Sequence, residues 1–116
     1  MNYVVLQTAK GPVALCRPED GKRIEGASDF LDLTAKCGAS TIALERSGLA
    51  EGFFELRTGI AGEILQKVSN YRLRLIVLGD FSGIGGRALR DFIRESNGTG
   101  QVVFAEDMAA GIGLLR

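Results

Sequence analysis

The sequence predicts an α/β domain: a mixed, mostly parallel sheet with helices packed on it, in the order β-β-α-β-α-β-α-β-α. Three observations carry that reading. Short runs of β-branched and aliphatic residues alternate with longer amphipathic stretches, which is the pattern of strand–helix–strand units. The run Leu73-Arg74-Leu75-Ile76-Val77-Leu78 is apolar but for one residue, as expected of a central strand covered on both faces. Lys10-Gly11-Pro12 separates two short strand-like runs near the start, which reads as a hairpin.

Taken in chain order, residues 3–8 are rich in β-branched and aromatic side chains and predict the first strand; Val13-Ala14-Leu15-Cys16 predicts the second. Residues 17–26 are polar, carry Pro18 and two glycines, and read as loop. Ser28 or Asp29 supplies the cap of a helix through Phe30, Leu31, Leu33 and Ala35 that closes at Cys37-Gly38. Thr41 to Leu44 is a short buried strand and Ser47-Gly48-Leu49 begins a turn. Phe53-Phe54 looks like a strand edge, with one ring directed to the core and the other to the rim. The next helix is predicted to start at Thr58, with Ile60, Ile64, Leu65 and Val68 at helical spacing and Glu63, Gln66, Lys67 and Asn70 on the polar side. Glu63 and Lys67 stand in the favourable i,i+4 order. After the strand at 73–78 comes a loop, 79–86, then a helix from Arg87 to Ser96 with Ala88, Leu89, Phe92 and Ile93 inward. Asn97-Gly98-Thr99-Gly100 stops it, residues 101–105 form the last strand, and Asp107 to Leu115 is a closing helix.

Composition bounds the function. A chain of 116 residues is of single-domain length and buries a true core. Fourteen basic and fourteen acidic side chains cancel, so no broad positive field exists for nucleic-acid backbone binding. The same neutrality lowers repulsion between copies and makes a homodimer, through Phe53 or the N-terminal strand, an open possibility. No apolar run approaches the ~20 residues that span a bilayer. The start lacks a basic segment ahead of its short apolar stretch, so the expectation is a cytoplasmic protein without a membrane segment. Cys16 and Cys37 are the only cysteines, and free thiols are the default in a reducing compartment. Histidine is absent, which removes the commonest general base and metal ligand. No zinc-ligand spacing is present. The expectation is therefore no metal, no cofactor and no catalytic residue of the usual kinds.

The stretch from Phe53 to Asn97 resembles the bacterial family DUF4180, a domain of unknown function. The resemblance rests on Phe53-Phe54 followed by Leu56, on Thr58-Gly59, on Ala61-Gly62-Glu63-Ile64-Leu65-Gln66-Lys67, on Asn70-Tyr71-Arg72, on Gly79-Asp80-Phe81, and on Phe92-Ile93 with Glu95-Ser96-Asn97. It implies a fold and no established activity. The loop Ser82-Gly83-Ile84-Gly85-Gly86 is richer in glycine than the family pattern leads one to expect. At the level of fold, the element order and the Thr58-Gly59 helix start are similar to the STAS domain of anti-sigma-factor antagonists, in which a Ser or Thr before a Gly at this point is phosphorylated by a partner kinase. Here Arg57 stands where that family usually has an acidic residue. The resemblance implies a STAS-like regulatory or protein-interaction domain, gated by phosphorylation of Thr58 and docking an unidentified protein partner.

Each candidate site residue has a structural reading beside the functional one. Thr58 and Gly59 offer a hydroxyl at a helix N-terminus, or an ordinary cap. The loop Gly79 to Gly86, with Arg87 behind it, lies where phosphates bind in α/β proteins, but it has neither the Walker pattern nor the dinucleotide glycine spacing. Asp80 occupies a strand C-terminus, the usual place for functional residues, or forms an Asx turn there. Glu63, Lys67, Asn70 and Arg72, with Glu95 and Asn97, form either a surface shared with Asp80 or solvated helix faces. The rival function is a small-ligand or nucleotide-binding protein, even an enzyme, built on the Gly79–Arg87 loop and Asp80. A concave site where Asp80, Asn70 and Glu95 meet would favour it.

Overall fold

A computed structural model describes residues 1–19 and 21–116. Asp20, inside the expected 17–26 loop, lies outside the described residues. Strands β1 (Asn2–Thr8) and β2 (Gly11–Arg17) form the expected hairpin, followed by α1 (Ala27–Cys37), β3 (Thr41–Glu45), α2 (Ile60–Asn70), β4 (Arg74–Leu78), α3 (Arg87–Thr99), β5 (Val102–Ala105) and α4 (Met108–Leu114). The five strands lie in sequence order, β1-β2-β3-β4-β5. The first pair is antiparallel and the other three pairs are parallel. The class is α/β with a mixed sheet, in the predicted order.

The alternation along each strand sorts the core into two layers. Ala14, Cys16, Ile42, Leu44, Leu75, Val77, Val102 and Phe104 face one side, where Phe30 and Leu33 of α1 and Ala61, Ile64 and Val68 of α2 meet them. Val13, Ala43, Ile76 and Val103 face the other, against Met108, Ile112 and Leu115. Strands that advance in one direction by right-handed crossovers carry their helices on one face, which leaves α4 alone on the second. It packs closely there: a Cβ on Gly111 would lie 2.6 Å from Ile76 Cγ2. Cys16 Sγ is 3.7 Å from Cys37 Sγ, and both thiols are free. Burial, reinforced by Cys37, pushes the Cys16 thiol up to about 12, so it stays protonated and packs as a small hydrophobe.

Four local expectations differ from the structure. First, α1 begins at Ala27, ahead of both expected caps; Asp29 instead reaches back to accept from the Glu25 N–H at 2.9 Å. Second, Phe53-Phe54 is no strand edge but part of a 3₁₀ turn, Glu51–Phe54, with Phe53 buried and Phe54 half-buried. Third, α2 starts at Ile60, because Thr58 ends a second 3₁₀ turn and Gly59 takes φ 79°, a conformation that suits glycine. Fourth, α3 runs through Asn97 and Gly98 to Thr99 and stops only where Gly100 turns left-handed.

Candidate functional site

Because β2 to β5 are parallel, they all finish at one edge of the sheet, and their loops build whatever stands there. After Glu45, β3 gives way to a 3₁₀ turn, Arg46–Gly48. From Leu78, β4 passes to Gly79, whose N–H donates to Ala105 O at 2.9 Å, and Glu106 follows β5. The 17–26 loop is drawn in by buried Ile24, which pairs with the β3 loop through Ile24 N to Gly48 O, 2.8 Å, and Ala50 N to Ile24 O, 2.9 Å. That anchor sets Arg23 beside the strand ends. The two 3₁₀ turns over 51–58 complete the wall. The result is an open cleft of about 780 Å³ lined by Glu45, Glu51, Glu55, Glu106, Arg23 and Arg46, with Leu49, Phe54 and Leu78 as apolar surface.

Arg46 is held in place. Its guanidinium lies 5.2 Å from the Phe54 ring centroid and 5.6 Å from that of Phe81, and Nη1 donates to Asp80 O at 2.9 Å. Gly79 makes room: a Cβ there would come within 3.1 Å of Arg46 Cβ. Behind the two rings, Phe53, Phe104 and Phe92 continue an aromatic cluster into the core. Among the described residues, the one ion pair that any of the six charged cleft residues makes is Glu55 with Arg57, at 4.0 Å on the surface. Nor do three acidic or thiol side chains cluster as metal ligands among the described residues. Four carboxylates against two guanidiniums, one of them already stacked, leave the cleft net acidic.

The residues singled out from sequence are distributed differently. Asp80 Oδ1 accepts from Ser82 Oγ at 2.6 Å and Ser82 N at 2.9 Å; these bonds hold its carboxyl below the usual range, with a smaller pull from Arg46. Asp80 thus closes its own loop, whose Ile84 is buried. Thr58 is exposed. Its hydroxyl shares its one proton between Gly52 O at 2.6 Å and Glu55 O at 2.8 Å and accepts from Ile60 N at 3.3 Å, so it pins the 3₁₀ segment that carries Glu51 and Glu55. Asn70 and Arg72 precede β4 whereas Asp80 follows it, so they stand at opposite ends of the strand. Asn70 accepts from Gln66 at 3.0 Å, and Arg72 takes φ 53°, the one left-handed non-glycine among the described residues. Glu63 and Glu95 are exposed on α2 and α3, and Lys67 is half-buried. Asn97 serves the backbone of β5, where its Oδ1 accepts from Phe104 N at 2.7 Å and its Nδ2 donates to Phe104 O at 3.2 Å. The shared surface of Asp80, Asn70 and Glu95 does not form.

Sequence reasoning missed the cleft residues other than by their neighbourhood to Asp80. A signal was present: charge lies at or within two residues of the end of each of the last three strands, Glu45-Arg46, Asp80 after Gly79, and Glu106-Asp107.

Fold and site together define an α/β domain whose parallel strands end in an open, net acidic cleft. A family model described as a domain of unknown function, DUF4180, matches residues 9–115, and the chain belongs to that family. No curated protein and no solved structure matches it.

Proposed function

We propose that this is a non-enzymatic, STAS-like interaction domain that docks a basic segment of a protein partner in the cleft at the strand C-termini. The observation that carries the reading is the lining of that cleft. Glu45, Glu51, Glu55 and Glu106 surround an apolar and aromatic surface, and among the described residues none of them pairs with a cation of the cleft. Carboxylates left without partners at a concave surface favour a cationic guest, and apolar surface beside them suits the stems of Lys and Arg side chains. The chain lacks histidine and neither cysteine lines the cleft, so no Ser-His or Cys-His nucleophile pair can form there. Thr58 fits this reading as a gate. A phosphate on its hydroxyl would lose the donor bonds to Gly52 and Glu55 and add charge beside Glu55, releasing the cleft wall. The nucleotide alternative is weaker because Asp80 places an ionised carboxylate in the glycine loop and occupies the Ser82 donors an anion would need.

The test is salt-dependent affinity capture from host lysate with wild type, the pair Glu45→Lys and Glu106→Lys, and Thr58→Glu, each checked for folding by circular dichroism. A partner bound through a basic segment, released by salt and lost with the charge reversals, supports the reading. Capture of the same proteins by wild type and charge-reversed baits would sink it. Retention by Thr58→Glu would remove the gate and leave the docking site.

A further inference from the structure

The sheet has two edges, and they are finished differently. At β5 the chain guards its edge: Asn97 occupies both backbone groups of Phe104, and Ser96 Oγ donates to Val102 O at 2.5 Å. The strand is also only four residues long. At β1 the free edge runs for seven residues, Asn2 to Thr8, without a charged side chain or a proline. Among the described residues, no side chain bonds to its backbone. Alternate residues of an edge strand turn N–H and C=O groups away from the sheet, and a bare edge of this length is a template for another strand. The side chains agree with that role. Tyr3 is 39 % exposed, Val4 61 % and Val5 43 %, although the strand is fully paired on its inner side.

We propose that two copies of the chain pair through β1, antiparallel about a two-fold axis at Val5, giving one continuous ten-stranded sheet. The strand is complementary to itself in this register. Val5 meets its own copy on one face and Val4 meets Leu6 on the other, so the centre of the contact is apolar on both faces, while Tyr3 meets the uncharged Gln7 toward its ends. Val4 and Leu6 then extend the face that carries Leu15 and Val13, and Tyr3 and Val5 the face that carries Cys16 and Ala14. No charge on the strand opposes its copy, and the chain's net charge of zero adds no long-range repulsion. A strand edge of this length with its exposed side chains hides roughly 1,000 Å² over both copies, the lower bound for a specific interface. The dimer is accordingly weak and concentration-dependent. The alternative route through Phe53 is closed, since that ring is 1 % exposed.

Sedimentation equilibrium of the full chain over roughly 5 to 500 µM tests this by mass action. The average mass is expected to rise from 12.4 kDa toward twice that value. Val4→Lys, at the most exposed of the strand's three exposed apolar positions, and Val5→Lys, which sets two ammonium groups across the axis, are each expected to weaken association at least tenfold. Amide exchange of wild type is expected to slow at alternate β1 positions as concentration rises, a readout that needs no variant. A monomer at every concentration overturns the proposal. So does a dimer unaltered by Val4→Lys, or one without added β1 protection, which would place the contact, or a different strand partner, elsewhere.

Discussion

Where β3 and β4 begin, Arg74 donates from three nitrogens, to Thr41 Oγ1 at 2.9 Å, to Arg116 O at 2.8 Å and to Lys10 O at 2.5 Å. Lys10 in turn donates to the carbonyls of Ile112 and Leu115, closing the C-terminus of α4. Where the same strands finish, six charged side chains line a cleft, and among the described residues only Arg46 of the six donates to backbone. Charge therefore serves two purposes: one end ties hairpin, sheet and last helix together, the other leaves its carboxylates, Glu55 apart, without an ion pair among the described residues. Charges that satisfy buried or terminal backbone groups carry stability, whereas exposed charges carry little. The difference marks the strand C-termini as the place where substitution should alter binding while leaving the fold intact.

The largest effect is expected at the tied end. Arg74→Met keeps the stem and removes all three bonds, leaving the fully buried Thr41 hydroxyl without its partner. A loss of about 3 kcal/mol in urea unfolding is expected, from the cost of stranding buried polar groups and from charged hydrogen bonds. Arg74→Lys should recover less than half of it, since an ammonium cannot span the fork that reaches three acceptors. A loss under about 0.5 kcal/mol for Arg74→Met, the range of ordinary surface changes, would break the comparison.

Lys10→Met comes next. It removes the side chain that closes the last carbonyls of α4 while keeping the apolar stem. The expected loss is about 1 kcal/mol, typical of a helix-end interaction. Its signature is local: amides of α4 should exchange faster than those of α2. Uniform acceleration across both helices would show that Lys10 supports the whole sheet instead.

The strands are legible in the sequence because their signals are local. The apolar run ending at Leu78 and the turn at Lys10-Gly11 place β4 and the hairpin to within a few residues. The glycine stop of α1 is equally legible, as Gly38 takes φ 63° and its N–H donates to Thr34 O. Boundaries set by competing local bonds are not. Thr58 has the chemistry of an N-cap, but its hydroxyl bonds backward to Gly52 and Glu55, and the helix waits for Gly59. Asn97 reads as a helix stop, and only the return of β5 beside it reveals an amide that pairs with a strand. The cleft is the least legible feature. Residues 45–55 supply two of its walls, but Arg23 reaches it through the Ile24–Leu49 bridge and Leu78, Gly79 and Glu106 come from later strand ends, so no window of sequence shows that these parts face one another.

The smallest effect on stability is expected at the cleft, and it is the one that sharpens the comparison most. Glu45→Gln and Glu106→Gln keep size and remove charge from exposed side chains that make no ion pair among the described residues. Each should shift unfolding stability by less than about 0.5 kcal/mol, in either direction. If the cleft carboxylates repel one another, the double variant gains slightly at low salt and the gain fades as salt rises, because screening weakens exposed charge interactions. A large loss would instead mean that Glu45 or Glu106 holds the strand ends together, and the two ends of the sheet would no longer differ in what their charges do. Small effects here beside a large one at Arg74 would leave the cleft carboxylates free of structural duty, the condition under which their loss reports on binding alone.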